Sequence, residues 1–312
     1  MKQQLFTKER GGGMENEERL GIIYTALAYT LWGLLPVYWK FVQHVPADEI
    51  LANRIFWSFW FMLVLLIAMR QFGHFKKEAL SLFKRPKLLG ALIAASILIS
   101  INWFVYIWAV NSEQMVEASL GYYINPLVSV LLGVFVLKEV LSKAQVLSFI
   151  LALVGVLILT ISYGSFPWIA FALAFSFGFY GLVKKMLRVN AAIGLTLETL
   201  TIMPVALIYL GYLQGSGNMA LFHVSLTTDV LLVGAGAATA IPLLLFANGA
   251  QRIPLFMVGF LQYIAPTLTL ILGVFLYGEP FSAVDLISFV FIWLSLTVFT
   301  LSRMRIARKA RI

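Results

Sequence analysis

The chain has 312 residues, of which 61% are apolar and only 12% are charged. A soluble domain has roughly 45–50% apolar and about 25% charged residues, so the composition excludes a soluble fold and indicates a protein embedded in a membrane. The net charge of +9 would suit nucleic acid, but the positions of the cations favour membrane orientation, and we expect no nucleic-acid partner. The absence of Cys excludes disulfides and thiolate metal sites.

Ten apolar stretches follow one another, each near the roughly 20 residues that cross the hydrocarbon core of a bilayer as a helix. They predict an all-α polytopic membrane protein. The first 19 residues are hydrophilic, and Gly11–Gly13 indicate an unstructured tail; residues 303–312 form a second, basic tail. Whether translation starts at Met1 or Met14 is left open. The predicted spans are 20–41, 48–69, 88–110, 116–137, 143–162, 166–183, 194–213, 230–250, 255–277 and 283–302.

The positive charges fall on one side of this predicted bundle. All 23 Lys and Arg except Lys40 and Arg54 lie in the two tails or near the loops of the same side. Because such loops remain cytoplasmic, the pattern predicts a multi-pass protein of the inner or plasma membrane with both termini in the cytoplasm. The opposite loops, predicted to face outward, carry acidic residues and no basic ones.

The two halves of the chain resemble each other. Residues 88–162 align with 230–302 at an offset of 140, which matches 123–126 (YINP) to 263–266 (YIAP) and Glu139 to Glu279; the front ends align more weakly. The sequence therefore predicts two five-helix repeats, 20–162 and 166–302. An odd number of spans inverts the second copy, which is typical of alternating-access carriers with a site near the midplane. Duplication without transport is the alternative.

Two charged residues inside the predicted spans are candidates for function. Arg54 lies about six residues, or roughly 9 Å, below the outer surface, where it could bind an anionic group of a substrate. Its alternatives are an ion pair with Glu49, Glu113 or Glu117, or snorkelling to the interface. Glu198, near the inner end of the seventh span, could carry protons. Its alternative is a salt bridge to Lys184, Lys185 or Arg188.

Polar residues concentrate in the third and fourth spans. Buried amides and phenols need hydrogen-bond partners in hydrocarbon, which a ligand or a neighbouring helix can supply. Both readings stay open for these residues. Trp32, Trp39, Trp57, Trp60 and Trp168 are interpreted as interface anchors. The predicted substrate-binding residues are Arg54, Asn102, Tyr106, Glu117, Tyr122, Asn125 and, in the second half, Gln262.

Motifs of enzyme and pump chemistry are missing. The sequence has no GxSxG, no HExxH and no phosphate-binding GxxxxGK[ST], and its three His are at no metal-ligand spacing. We therefore expect neither an enzyme nor a self-contained ATP-driven pump, and no cofactor or metal is implied.

Several segments resemble the EamA-like branch of the drug/metabolite transporter superfamily, and within it the RarD group. The resemblance covers the chain from about residue 18, and its most specific segments are 49–58, 102–111 and 117–127, with support from 134–139 and 194–199. It implies a ten-helix basket of two inverted repeats whose cavity is lined chiefly by the third, fourth, eighth and ninth spans. It also implies substrates such as amino acids and other small metabolites, usually exported. The second repeat departs from the first at Ala265, the counterpart of Asn125, so the site need not be symmetric.

We therefore predict a secondary transporter of small polar or amphipathic metabolites that works by alternating access. Its partners are a small-molecule substrate and the lipid bilayer. A membrane sensor or partner protein without transport activity is the main alternative, and a facilitative channel is another. The sequence leaves open the substrate, the direction, proton coupling through Glu198 and a homodimer.

Overall fold

The computed structural model describes residues 2–82, 84–112, 115–187, 189–278 and 281–309, although the side chains of 2–15, 107, 110–111, 115–116 and 303–309 lie outside the description. Within these ranges all regular structure is helical, and ten candidate membrane spans are long and apolar enough to cross a bilayer. The predicted all-α class and the ten spans are thus confirmed.

The helices match the predicted spans to within a few residues at most of their ends. Every span except the ninth in chain order is a single helix. The ninth span is divided into two short α-helices followed by a π-helical turn, Leu272–Leu276. The α-helices are α1 Lys2–Lys40, α2 Ala47–Ala68, α3 Phe72–Leu82, α4 Pro86–Asn111, α5 Met115–Phe135, α6 Lys143–Tyr163, α7 Trp168–Met186, α8 Ala191–Ser216, α9 Leu226–Arg252, α10 Leu255–Gln262, α11 Ile264–Ile271 and α12 Ala283–Lys309.

The prediction of an unstructured N-terminal tail is wrong, since α1 begins at Lys2 and runs through the three glycines. Once the apolar part of α1 has formed, each residue added to its end gains a main-chain hydrogen bond without a new nucleation step. The basic C-terminal tail likewise continues α12 as far as Lys309.

The short helix α3 was not predicted, because its 11 residues are too few to span a membrane. It lies in the long loop predicted to be cytoplasmic. Leu82 is buried, and Phe75 and Ala79 pack on the same core cluster, while Lys76 and Lys77 are exposed. Apolar residues three and four positions apart share one face of a helix, and this face holds α3 against the bundle.

The ninth span breaks at Tyr263, between α10 and α11. Pro266 has no N–H to donate to the carbonyl of Gln262 four residues earlier, and its ring crowds that carbonyl. The missing hydrogen bond thus contributes to the break. In the first half, by contrast, α5 continues through Pro126 as one helix.

Helices of one half pack mainly on helices of the other. The main pairs are α6 with α12, α5 with α7 and α10, α1 with α9 and α11, α2 with α8 and α9, and α4 with α7 and α8. Each span of the first half has a counterpart five spans later in the second half. When every span is replaced by its counterpart, most of these packed pairs become another pair of the same set, as an inverted duplication requires. The two-repeat arrangement stays a prediction, which this pairing supports.

The close approach of α2 and α9 depends on a glycine. A Cβ atom built on Gly236 would lie only 2.4 Å from the main-chain carbonyl carbon of Trp57, so a larger residue would push the two helices apart. At the same crossing Ser58 donates a 3.0 Å hydrogen bond to the carbonyl of Gly236. Arg54 lies one turn from Ser58 on α2, and Thr239 lies about one turn from Gly236 on α9. The close approach of the two helices therefore places Arg54 beside Thr239.

Candidate functional site

A cavity of about 810 Å³ lies between the two halves. Residues from the end of α1 (Lys40), the end of α6 (Tyr163) and the start of α12 (Asp285) line it, so it reaches the end of the bundle that the charge pattern predicts to face outward. The four expected spans, α4, α5, α9 and the α10–α11 pair, all contribute. Residues of α1, α2, α6, α7 and α12 line it as well, and α1 contributes more than expected.

Arg54 lies in the wall of this cavity. Its Nε donates a 3.0 Å hydrogen bond to Thr239 Oγ1, and its guanidinium carbon lies 4.7 Å from the ring centroid of Trp39 and 5.4 Å from that of Trp103. Each ring face can stabilise the cation by about 0.5–2 kcal/mol. A guanidinium has five N–H donors, and the one on Nε of Arg54 donates to Thr239.

Two of the three carboxylates proposed as alternative partners of Arg54, Glu49 and Glu117, are engaged elsewhere. Both oxygens of Glu49 accept from the N–H of Ala220, at 2.8 and 3.0 Å, and one also accepts from Leu221. Glu113 lies outside the described residues. Within the described part of the chain, no carboxylate lies within salt-bridge distance of Arg54, so this cation is offset by aromatic faces and one hydroxyl.

Three further predicted residues, Asn102, Tyr106 and Tyr122, line the same cavity. The rings of Tyr106 and Tyr122 lie 6.1 Å apart, edge to face, and both residues line the same cavity as Arg54. Asn102 donates to the carbonyl of Leu173 at 2.9 Å and to Ser176 Oγ at 3.0 Å. Asn102 thus binds helices α4 and α7 together and also faces the cavity.

Asn125 and Gln262 lie deeper, near the middle of their spans, and both line the cavity. Gln262 Oε1 accepts a 3.4 Å hydrogen bond from Ser129, which links α10 to α5. The side-chain oxygen of Asn125 is buried and has no hydrogen-bond partner among the described residues. Ala265, the counterpart of Asn125, also lines the cavity, so the two halves contribute different chemistry at this level.

Glu117, which we predicted to bind substrate, is not among the residues that line the cavity. Its carboxylate accepts from the N–H of Ile169 at 2.6 Å and from the hydroxyl of Tyr163 at 3.0 Å. The residue before α7 is Pro167, which offers no side-chain cap, and the first N–H groups of a helix need an acceptor. Glu117 supplies it, with the helix dipole favouring the negative charge.

Glu198 also lies away from the cavity, at the predicted inner end of the bundle. It forms a 2.8 Å salt bridge with Lys184 and accepts a 3.2 Å hydrogen bond from Tyr180. Lys184 and Glu198 are each only 2% exposed. The structure thus favours the salt-bridge alternative that the sequence had left open.

A second set of contacts joins helices at the same predicted inner end. Glu139 accepts from the N–H of Leu255 at 2.7 Å and of Phe256 at 2.8 Å, at the start of α10. Lys185 donates to the carbonyl of Ile253, two residues before α10. Together with Lys184–Glu198, these bonds join α7, α8, α10 and the loop after α5, while the cavity reaches the opposite end.

Sequence reasoning missed the contribution of α1. We interpreted Trp32 and Trp39 as interface anchors, but both line the cavity together with Tyr29 and Lys40. Lys40 Nζ lies 3.6 Å from the ring centroid of Tyr277. Tryptophan near a span end is enriched at membrane interfaces, and only the pairing of α1 with α9 and α11 shows which of these rings face inward.

The comparisons with known proteins agree with this fold. The model of the EamA-like transporter family matches residues 19–161. The chain is 52% identical to the uncharacterized transporter YojE of Bacillus subtilis (strain 168), over 95% of this chain and 98% of that protein. It is 44% identical to Protein RarD of Salmonella typhi and 42% identical to Protein RarD of Escherichia coli (strain K12), over 94% of this chain and 98% of each relative. A solved crystal structure, 20% identical, shares the fold with a TM-score of 0.68 over 90% of this chain and 97% of that one.

Ten apolar helices and these relatives define a multi-pass membrane transporter of the drug/metabolite transporter superfamily. The chain belongs to the EamA-like transporter family and, within it, to the RarD group.

Proposed function

We propose that the protein is a secondary transporter that carries small amphipathic metabolites with an acidic group, such as amino acids or related compounds, by alternating access. The observation that carries the proposal is Arg54, a cation in the wall of a cavity between the halves, which has no carboxylate partner among the described residues.

The energetics favour an anionic substrate. Moving a charge from water into a protein interior costs several kcal/mol even after relaxation. Two ring faces and one hydroxyl offset only part of this cost, and an intramembrane charge normally faces a partner or a substrate path. A carboxylate can accept two parallel hydrogen bonds from a guanidinium, and the N–H groups of Arg54 beyond its Nε provide them.

The rest of the cavity wall suits the apolar part of such a molecule. Aromatic rings form much of it, including Trp32, Trp103 and Phe177. Ligand sites combine an apolar lining with a few polar groups that fix orientation. Asn102, Tyr106, Tyr122, Asn125 and Gln262 are the polar groups that we assign to substrate binding.

Alternating access then requires the closed end to open. In the orientation that the charges predict, with both termini in the cytoplasm, the cavity is accessible from outside. Lys184–Glu198 and the bonds of Glu139 and Lys185 close the inside. We propose that these bonds break in the inward-open state, and that Glu198 acts there as part of the closure. Proton coupling through Glu198 would need its release from Lys184. Export from the cell is the direction that the family resemblance favours.

Counterflow in proteoliposomes tests the proposal. The purified protein is reconstituted with 3-phenylpropionate or L-phenylalanine inside, and uptake of the same labelled compound is followed. We expect saturable uptake that depends on the internal compound, as for a carrier. Saturable binding without counterflow would favour a sensor, and uptake without saturation or counterflow would favour a channel.

A further inference from the structure

The short helix α3, in the loop predicted to be cytoplasmic, presents a surface that the described part of the chain leaves open. We define the exposed side of α3 by Phe72, Lys76, Lys77 and Leu80. Phe72 is 44% and Leu80 is 61% exposed, and both lysines are exposed as well. A Cβ atom built on Gly73, on the same side, would meet no atom within 4 Å.

This side of α3 is apolar in addition to the side that packs. Residues four apart share one face of a helix, so Phe72, Lys76 and Leu80 lie together. The residues that pack on the bundle, among them Phe75 and Ala79, lie on the neighbouring face. Removing apolar surface from water is favourable, and the packing of α3 leaves Phe72 and Leu80 without that gain.

The membrane surface lies close to both ends of α3. Three residues separate α3 from the end of α2, and three separate it from the start of α4; both of these helices are candidate membrane spans. An extended chain covers at most about 3.6 Å per residue, so each end of α3 stays within about 14 Å of a span. With 11 residues, or about 16 Å of helix, α3 is too short to cross the bilayer. It is therefore held near the headgroup region.

The charge around α3 is strongly positive. Residues 70–87 contain six Lys and Arg and a single acidic residue, Glu78. Glu78 pairs with Arg85 at 3.4 Å. Lys76 and Lys77 have no carboxylate within salt-bridge distance in the described part of the chain. The exposed side of α3 thus offers cations to an anionic partner.

We propose that the exposed side of α3 binds anionic phospholipids at the cytoplasmic surface of the membrane, with Lys76 and Lys77 at the headgroups and Phe72 and Leu80 at the upper acyl chains. Lysines beside large apolar side chains are typical of helices that lie in the membrane interface. The aliphatic stem of a lysine can rest on apolar surface while its ammonium group reaches the headgroups. The inference goes beyond the proposed transport function and holds for any substrate.

A soluble anion explains less of this surface. Inorganic phosphate would neutralise the lysines but would leave Phe72 and Leu80 in water. A phospholipid combines a charged headgroup with apolar chains, and the exposed side of α3 presents both kinds of side chain next to each other. The cytoplasmic leaflet also carries anionic lipids, which attract cations close to the membrane.

Two quenching lipids that differ only in their headgroup test the proposal. The chain has no native Cys, so Leu80→Cys in the full-length protein can be labelled with bimane and reconstituted into phosphatidylcholine vesicles. Nitroxide-labelled phosphatidylglycerol or phosphatidylcholine is then added at increasing mole fraction. We expect both lipids to quench the label, with half-quenching at about fivefold lower mole fraction of the anionic lipid, which corresponds to about 1 kcal/mol for a cation near an anionic surface.

A pair of lysine variants tests whether this preference belongs to α3. In the same labelled protein, Lys76→Gln with Lys77→Gln should abolish the fivefold preference and keep the quenching by phosphatidylcholine. Lys138→Gln with Lys143→Gln is the matched control, because it removes the same charge from exposed positions outside α3 at the same predicted inner end. The control should keep the preference.

Three outcomes would overturn the proposal. Equal quenching by the two lipids would show that the headgroup is not bound, and a preference that survives the loss of Lys76 and Lys77 would belong to other cations. Quenching by iodide in the water phase, with none by either lipid, would leave the exposed side of α3 in the cytoplasm, open to a soluble partner. Asn218→Cys, at an exposed position in the loop between α8 and α9, provides the reference for a label in water.

Discussion

At the scale of single residues, three carboxylates differ from Arg54 in the partners that they have. Glu49, Glu117 and Glu139 each accept hydrogen bonds from main-chain N–H groups of a segment distant in sequence. Bonds of this kind to a charged acceptor are worth about 1.5–3 kcal/mol. Arg54 differs, because its partners in the described structure are two ring faces and one hydroxyl. Carboxylates near a predicted cavity can thus hold helices in place. Their position in the sequence alone does not distinguish such structural carboxylates from carboxylates that bind substrate.

Glu117 provides a direct test of this distinction. Glu117→Gln keeps the shape of the side chain but replaces a carboxylate oxygen with an NH₂ group that cannot accept from Ile169 or Tyr163. We expect the free energy of unfolding to fall by about 1–3 kcal/mol, with unchanged affinity for 3-phenylpropionate in the folded protein. Glu78→Gln, at an exposed ion pair with Arg85, is the control and should change neither. A lower affinity with normal stability would return Glu117 to the substrate site.

At the scale of helices, the lengths of the apolar runs predicted nearly all of the elements, and they failed where local chemistry decided. α3 could have been expected from its apolar positions, whereas Pro266 alone does not predict the broken ninth span, since α5 continues through Pro126. The roles of Glu117 and Trp39 could not have been expected from the sequence, because they depend on which helices of the two halves are in contact. In a membrane protein nearly every helix face is apolar, so hydrophobic pattern alone does not distinguish lipid-facing, packed and cavity-lining faces.

The pair that joins α7 to α8 tests the proposed closure at the inner end. Removing one partner of a buried ion pair costs about 3–5 kcal/mol, whereas removing both is often nearly neutral. We therefore expect Glu198→Gln and Lys184→Met each to lower the Tm clearly, and the double variant to recover most of the loss, measured by thermal unfolding in detergent.

Transport by the same variants distinguishes a closure from a proton carrier. If Glu198 belongs to the closure, the double variant keeps counterflow and its pH dependence. Loss of pH-dependent accumulation with counterflow retained would instead support Glu198 as the coupling carboxylate. Additive losses of stability in the double variant would show that the two side chains do not act as a pair.

At the scale of the whole molecule, the cavity reaches one end while ionic and main-chain contacts close the other. The charge pattern predicts that the open end faces outward, and the orientation decides which state of the transport cycle this structure represents. Composition and charge predicted the ten spans, and six of the seven residues predicted to bind substrate line the cavity. The contribution of α1 depends on three-dimensional packing and emerges only from it.

The absence of native Cys makes the orientation simple to test. Single variants Asn218→Cys, in the loop between α8 and α9, and Lys77→Cys, on α3, place thiols at exposed positions at opposite ends of the bundle. We expect a membrane-impermeant maleimide to label Asn218→Cys in intact cells and Lys77→Cys only after permeabilisation. The reverse pattern would invert the orientation and place the open end of the cavity in the cytoplasm.

The measurement that bears most directly on the central claim compares an acid with its neutral analogue at Arg54. Affinities for 3-phenylpropionate and 3-phenylpropanamide are measured by calorimetry on the wild type, Arg54→Gln and the surface control Arg85→Gln. We expect Arg54→Gln to weaken binding of the acid about 10- to 100-fold, in keeping with a charge-assisted hydrogen bond of about 1.5–3 kcal/mol, and to change binding of the amide little. Arg85→Gln should change neither. Equal effects of Arg54→Gln on the two compounds, or no effect on the acid, would contradict the assignment of Arg54 as the anion-binding residue.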